Sequence, residues 1–267
     1  MTLEQAVILG ALQGLAEFLP ISSSAHLALA PWAFGWEEPG LAFDVALHVG
    51  TLAAVLWYFR REWIALTQGG LALLKTRSLD APGARRLALL VVGTVPGAAI
   101  GYAFEHQAET VFRTPALTAV ALIVMGAVLW LVDRRAGEAR PLESMTWRDA
   151  VLIGLAQACA IVPGVSRSGA TITAGRALRF DRAGAATFSF LMSMPITAAA
   201  AALKVPKALE APDLMPVFVG MLTAAVSGWL AITVLLRYVQ RRGLGVFALY
   251  RLVLGLAVLG LVWSRAG

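Results

Sequence analysis

Residues 17–26 read EFLPISSSAH, inside a chain that is otherwise apolar from end to end. A carboxylate (Glu17), a helix-breaking proline (Pro20), three successive hydroxyls (Ser22, Ser23, Ser24) and an imidazole (His26) crowd into this segment. A plain membrane-spanning helix has no use for them, because each polar group is costly in hydrocarbon. A site that handles something polar at membrane depth does.

The surrounding composition sets the solvent. The chain has 267 residues, 59% hydrophobic and 14% charged, with a mean hydropathy of +0.75. Soluble domains are close to half apolar and about a quarter charged, so the expected class is an all-α polytopic membrane protein. A net charge of +6 would suit nucleic acid, but the basic residues lie in short clusters between apolar runs: RREW from Arg60, KTR from Lys75, DRR from Asp133 and QRRG from Gln240. That is the pattern of loops obeying the positive-inside rule, so the bilayer is the expected partner and nucleic acid is not. The single cysteine, Cys159, excludes an intramolecular disulfide and reads as a small packing residue. The N-terminus carries no basic region followed by a small-residue cleavage site, so no removable signal peptide is expected.

Six apolar runs are long enough to cross a bilayer, near 42–59, 87–104, 115–132, 183–203, 214–236 and 246–263. Two more, 3–31 and 150–178, are interrupted by PISSS from Pro20 and PGVSRS from Pro163. Proline and glycine stop a helix there and free backbone groups that lipid cannot satisfy. Each is therefore expected to be a broken re-entrant helical hairpin that enters and leaves by one side. Residues 62–77 are expected to form an amphipathic helix on the membrane surface.

Sliding the chain by 144 residues lays AVILGALQGLAEFLPISSSA on AVLIGLAQACAIVPGVSRSG. Ala6, Val7, Gly10, Gln13, Ala16, Ser22 and Ser24 then meet identical residues at Ala150, Val151, Gly154, Gln157, Ala160, Ser166 and Ser168. The single membrane domain reads as two repeats, 1–135 and 146–265, each a broken hairpin plus three spans. Because three crossings is an odd number, the second repeat must be inverted relative to the first. The basic loops 60–86, 133–149 and 237–245 are placed in the cytoplasm and both termini outside, with Lys204 and Lys207 in an outer loop opposing this assignment. The two tips can then meet near mid-bilayer.

Where they meet, the repeats differ: Glu17 faces Ile161, Ser23 faces Arg167, and His26 faces Ala170. One arm supplies a carboxylate and an imidazole, the other a guanidinium flanked by Ser166, Ser168 and Thr171. Gln13 and Glu17, four apart, share one helix face. Helix N-termini after the breaks can bind an anion, and arginine suits phosphate oxygens. These features describe a phosphate-handling pocket. Bland readings stand beside it: serines capping their own helices, His26 as a packing histidine, and Glu17 with Arg167 as a structural ion pair. Asp44 and His48 read as a second polar shell, Met192 and Met194 as packing residues, and Glu105, His106 and Glu109 as a solvent-facing loop rather than ligands.

The segment QGLAEFLPISSSAH (13–26) resembles the E/Q-x-x-x-E signature region of the undecaprenyl-diphosphatase family of bacterial membrane enzymes, and PGVSRSGAT (163–171) is similar to its second signature, P-G-x-S-R-S-x-x-T. The resemblance covers essentially the whole chain. It implies hydrolysis of undecaprenyl diphosphate to undecaprenyl phosphate and inorganic phosphate, recycling the lipid carrier for cell-wall polymers, with a link to bacitracin resistance. It implies a multi-pass protein of the bacterial inner (plasma) membrane, with its site toward the periplasm and a need for a divalent cation, Mg²⁺ or Ca²⁺. Carried onto this chain, Glu17, Ser23, His26 and Arg167 would be catalytic, Ser22, Ser24, Ser166, Ser168 and Thr171 would bind substrate, and Glu17 with Gln13 would hold the metal. Gln13 stands where the signature also admits Glu, so that position carries no charge. Two attacking groups stay open: Ser23 with His26 as its base, which is preferred, or His26 activating a water or itself accepting the phosphoryl group. The expected partners are a prenyl diphosphate lipid and the bilayer, with a homodimer as an open option. A secondary transporter or flippase for an anionic or prenyl-phosphate substrate is the competing class. A purely structural membrane protein would leave the asymmetry between the repeats unexplained.

Overall fold

Thr2 and Thr146, equivalent under the 144-residue shift, open their helices with the same device. Each hydroxyl accepts the backbone N–H three residues on, and the side chain there, Gln5 or Asp149, accepts from the threonine N–H. This capping box satisfies two of the N–H groups that every helix start leaves orphaned. The first helix, α1 (Leu3–Phe18), runs until Pro20, which has no N–H to continue the ladder. The second, α7 (Trp147–Ala158), tightens into a 3-10 turn, Cys159–Ile161, before Pro163-Gly164. Past each break the chain turns through a serine with positive φ, 77° at Ser22 and 71° at Ser166. It then re-enters helix as α2 (Ser23–Phe34) and α8 (Arg167–Ala177). Non-glycine residues in that region carry about 1–3 kcal/mol of strain, which persists only where neighbours enforce it.

This computed structural model describes residues 1–81, 83–104, 107, 111, 112, 114–137, 139–208 and 213–266, with the backbone alone at 41, 42, 203–208 and 266. Besides the two interrupted segments it contains α3 (Leu41–Tyr58), α4 (Arg60–Thr76), α5 (Ala84–Ala103), α6 (Pro115–Arg135), α9 (Arg182–Ala208), α10 (Met215–Val239) and α11 (Gly245–Ala266). The described residues hold no strand, only an isolated bridge between Arg140 and Phe180. Residues 105, 106 and 109 and the side chains of 204 and 207, weighed from the sequence, lie outside the described residues.

Five helical stretches are long and apolar enough to cross a bilayer, 84–103, 115–135, 182–202, 215–239 and 245–265, and the sixth expected span falls in α3, whose described part is Phe43–Tyr58. Their outward faces are apolar: Leu222, Val226, Leu230 and Val234 form an exposed stripe on α10, and Val246, Leu249, Val253 and Leu256 another on α11. Such faces need a hydrocarbon solvent, so the chain is a multi-pass membrane protein. The helix expected at 62–77 is α4, which buries Leu66 and Gly69 and exposes Ile64, Leu71 and Leu74. Cys159, expected to pack inside, is instead exposed on its 3-10 turn.

The helices interlock across the two halves: α1 packs on α10, α7 on α5, α3 on both α9 and α10, and α6 on α11. Glycines permit the closest crossings. A Cβ at Gly10 would come within 2.5 Å of the Gly220 carbonyl, and Gly154 meets the Gly93 carbonyl more tightly still. Membrane helices have no hydrophobic drive toward each other, so such small-residue contacts supply much of the packing. Away from the tips, the buried carboxylate of Asp133 gathers Arg176 Nε at 2.9 Å, Arg182 Nε at 2.8 Å and the Leu244 N–H at 2.9 Å, tying α6, α8, α9 and the start of α11 together.

Candidate functional site

Glu17 lies in the last turn of α1, brought to the tip because Pro20 ends the helix just beyond it, and it is only 8% exposed. Its Oε1 accepts from Arg167 Nη2 at 2.8 Å. Its Oε2 accepts from the Ser23 hydroxyl at 2.6 Å and from Gln13 Nε2 at 3.2 Å, and His48 Nε2 stands 3.6 Å away. One carboxylate therefore collects groups from α1, α2, α3 and α8. Arg167, the first residue of α8, also donates from Nη1 to the Ser189 carbonyl of α9 at 3.1 Å.

The two tips are stitched directly. The Gly164 N–H donates to Ser22 Oγ at 3.1 Å, and the Ser168 hydroxyl donates to the Leu19 carbonyl at 3.2 Å. Ser22 pairs with Ser24 and Ser166 with Ser168, each at 3.2 Å. Ser166 also accepts from the Gly169 N–H at 3.0 Å and so caps α8. Beside the stitching lies a cavity of about 230 Å³, whose polar wall is Glu17, Ser23, Ser24, His48, Ser166, Arg167, Ser168 and Thr197 and whose apolar wall includes Val45, Ile196 and Ala200. A larger cavity of about 490 Å³ borders α4 and α5, lined by Arg61, Glu62, Arg85 and Arg86 among others. Arg86 there is spent on Glu143 and Arg85 on the Met145 carbonyl, and among the described residues no serine or histidine lines it.

The structure thus brings together Glu17, Ser23, Ser24, Ser166, Arg167 and Ser168 in one cavity. It places Ser22 in a bond between the tips and Thr171 in bonds within α8 and to α9: the Thr171 hydroxyl lies 2.8 Å from the Arg167 carbonyl and 2.6 Å from Ser189 Oγ. The preferred pairing of Ser23 with His26 is not made in this structure. His26 faces elsewhere, with Nδ1 on the Ser22 carbonyl and Nε2 on the Tyr250 hydroxyl, both at 2.7 Å, while the Ser23 hydroxyl goes to Glu17. The three-residue spacing leaves the two side chains on one face of α2, so the parting comes from packing: the His26 ring stacks on Tyr250 of α11 and Nδ1 is held at the Ser22 carbonyl. The imidazole that does line the cavity is His48 of α3, read from the sequence as outer shell. Sequence reading also missed Ser189, Tyr250 and Arg251.

The oxygen set accords with a hard divalent cation. Gln13 Oε1 is buried without a donor beside the Glu17 carboxylate, and neutral and anionic oxygens are what Mg²⁺ and Ca²⁺ take. Among the described residues no cluster of three His, Cys, Asp or Glu side chains that could hold a metal exists, and Gln13 is not among the residues lining the cavity.

Residues 6–257 match the family described as "Bacitracin resistance protein BacA". A protein named undecaprenyl-diphosphatase from Gemmatimonas aurantiaca is 53% identical over 99% of this chain and 100% of its own length. Proteins of the same name from Pelotomaculum thermopropionicum and Moorella thermoacetica are each 49% identical over 99% of this chain, and over 98% and 100% of their own lengths. With two broken segments meeting at an ion-paired, serine-lined cavity and full-length similarity of this order, the chain belongs to the bacitracin resistance protein BacA family.

Proposed function

We propose that this chain hydrolyses undecaprenyl diphosphate to undecaprenyl phosphate and inorganic phosphate, recycling the lipid carrier used for cell-wall polymers. The observation that carries the reading is the meeting at Glu17 of the Ser23 hydroxyl and the Arg167 guanidinium, inside a cavity at the joined tips. The names of the relatives agree with it. Matching capping boxes, glycine crossings and positive-φ serines support reading 1–135 and 146–265 as inverted repeats, with both interrupted segments re-entrant. On that layout the first segment dips from the periplasmic side, and the cavity opens there.

The prenyl tail stays in the bilayer while the diphosphate seats between the tips. Arg167 exchanges its bond to Glu17 for phosphate oxygens, where a planar fork offsets charge that builds as the phosphoryl group transfers. Glu17, relieved of that partner, takes the proton of Ser23, already shared across 2.6 Å. Ser23 Oγ attacks the terminal phosphorus, the bond to the bridging oxygen breaks, and undecaprenyl phosphate leaves. Glu17 hands the Ser23 proton to the departing undecaprenyl phosphate and then takes one from the water that attacks the phosphoserine. The Oγ–P bond breaks, the proton passes to Ser23 Oγ, and inorganic phosphate is released with Ser23 and Glu17 regenerated. His48 borders the same carboxylate and helps hold it in place. Gln13 and Glu17 would hold a divalent cation, which when bound polarises phosphoryl oxygens and lowers the repulsion of the diphosphate.

Phosphate release from undecaprenyl diphosphate by the purified protein, with and without chelator, tests the reading. Release that chelator removes, and that Glu17→Ala and Arg167→Ala lose while still folded, supports it. No release by folded wild type supplied with Mg²⁺ or Ca²⁺ overturns it and moves a transporter of prenyl phosphates to the front.

A further inference from the structure

Arg251 lies about two turns into α11, is 0% exposed, and is paired with no carboxylate among the described residues. An unpaired guanidinium inside a membrane helix is expensive, and lipid offers it nothing. Its hydrogen bonds show what offsets that cost. Nη1 donates to the Pro20 carbonyl at 3.2 Å, and Nη2 donates to the Gly164 carbonyl at 2.6 Å and the Val165 carbonyl at 3.0 Å. Nε donates to the Leu122 carbonyl of α6 at 3.2 Å. Three of these four acceptors are carbonyls of the two breaks, the groups left without helical partners when Pro20 and Pro163-Gly164 interrupt their helices. The neighbour Tyr250 reaches the same region, through its hydroxyl to His26 Nε2. Space is also fitted to the guanidinium, since a Cβ on Gly169 would stand 2.7 Å from Arg251 Nη1.

We infer that Arg251 is a positioning residue for the diphosphatase site, fixing the separation of the two tips and through it the placement of Arg167 relative to Glu17 and Ser23. The geometry gives the reason. Pro20 lies between Glu17 and Ser23, and Val165 lies two residues before Arg167, so one rigid planar fork holds the backbone on both sides of the reacting groups. No other side chain among the described residues donates to carbonyls of both breaks. Arg251 does not line the cavity, so it acts through the tips and not on substrate.

The inference rests on the proposed diphosphatase reading, and its test separates the two. Wild type, Arg251→Met and Arg251→Lys are purified in the same detergent, and thermal unfolding, KM and kcat for undecaprenyl diphosphate are measured. A misplacement of about 1 Å can cost about 100-fold in rate. Arg251→Met is therefore expected to stay folded, keep its KM and lose about 100-fold in kcat. Arg251→Lys, which keeps charge and donors but not the planar fork, should lose about tenfold. If Arg251→Met does not fold, the kcat and KM of Arg251→Lys decide the matter alone. A folded variant with wild-type kcat overturns the inference, as does a loss confined to KM, which would place Arg251 on substrate. Failure of both variants to fold overturns it too, because Arg251 would then sustain the fold and not set the site. An inactive wild type defeats the diphosphatase reading itself, and with it this inference.

Discussion

The Ser23 hydroxyl and the Glu17 carboxylate meet at 2.6 Å although a proline break separates them in the chain. The break is what allows the contact, because in a continuous helix residues six apart point to different faces. A hydroxyl already hydrogen-bonded to a carboxylate has the geometry of a nucleophile with its base. Ser23→Ala is therefore expected to lower kcat by about 1,000-fold or more with little change in melting temperature, whereas a loss of only a few-fold would assign the attack to water.

Arg167→Lys keeps a positive charge but cannot span Glu17 and the Ser189 carbonyl with one rigid fork. A drop of about 100-fold in kcat/KM is expected, the scale of one lost transition-state donor. Steady-state phosphate release over a range of substrate concentrations measures it. Wild-type behaviour in the lysine variant would mean that charge alone suffices.

Gln13→Glu would put a second carboxylate one helical turn from Glu17, in place of the amide whose oxygen lacks a donor and whose Nε2 now donates to Glu17. If a cation is held there, its half-saturating concentration is expected to fall by about tenfold. Titrating Mg²⁺ into chelator-treated protein gives that value, and an unchanged midpoint would place the metal elsewhere.

Asp133 serves two guanidinium groups and a backbone N–H while only 6% exposed. Removing one partner of a buried pair costs about 3–5 kcal/mol because the remaining charges lose their compensation. Asp133→Ala should accordingly unfold at markedly lower temperature, with turnover per folded molecule near that of wild type, since Asp133 is not among the residues lining the cavity at the tips.

A glycine pair offers an internal control on packing. At Gly10 a new Cβ would press on the Gly220 backbone at 2.5 Å, while at Gly101 it would meet nothing within 4 Å. Gly10→Ala is expected to destabilise by about 1–3 kcal/mol as α1 is pushed from α10, and Gly101→Ala to be neutral or slightly stabilising. Melting curves in detergent compare them.

Local chemistry made some of this legible in advance. Pro20 and Pro163-Gly164 locate the breaks because proline's missing N–H acts wherever it sits, and the mismatches Glu17/Ile161 and Ser23/Arg167 mark groups that meet in space. The apolar runs locate the spans for the same reason, since each is set by its own residues. Side-chain direction is another matter. His26 sits in the right segment, yet which neighbour its ring meets depends on how α11 packs, and no residue near His26 encodes that. Ser189 reaches Thr171 through the packing of α9 on α8. Arg251 did carry a signal, a lone charge within the apolar run 246–263, and by the cost of such a charge it could have been singled out.

The seat of α1 is made late. Its main packing partner is α10, Met215–Val239, and the cation for Glu17 arrives with residue 167. A ribosome adding about 5–20 residues per second takes on the order of ten seconds or more to supply either. Throughout that interval the first segment holds a carboxylate still without its arginine and a glycine face with α10 not yet against it. The nascent chain therefore has to keep its oldest helix waiting at the water boundary or in the care of the insertion machinery, and the site closes only when nearly the whole polypeptide has been made.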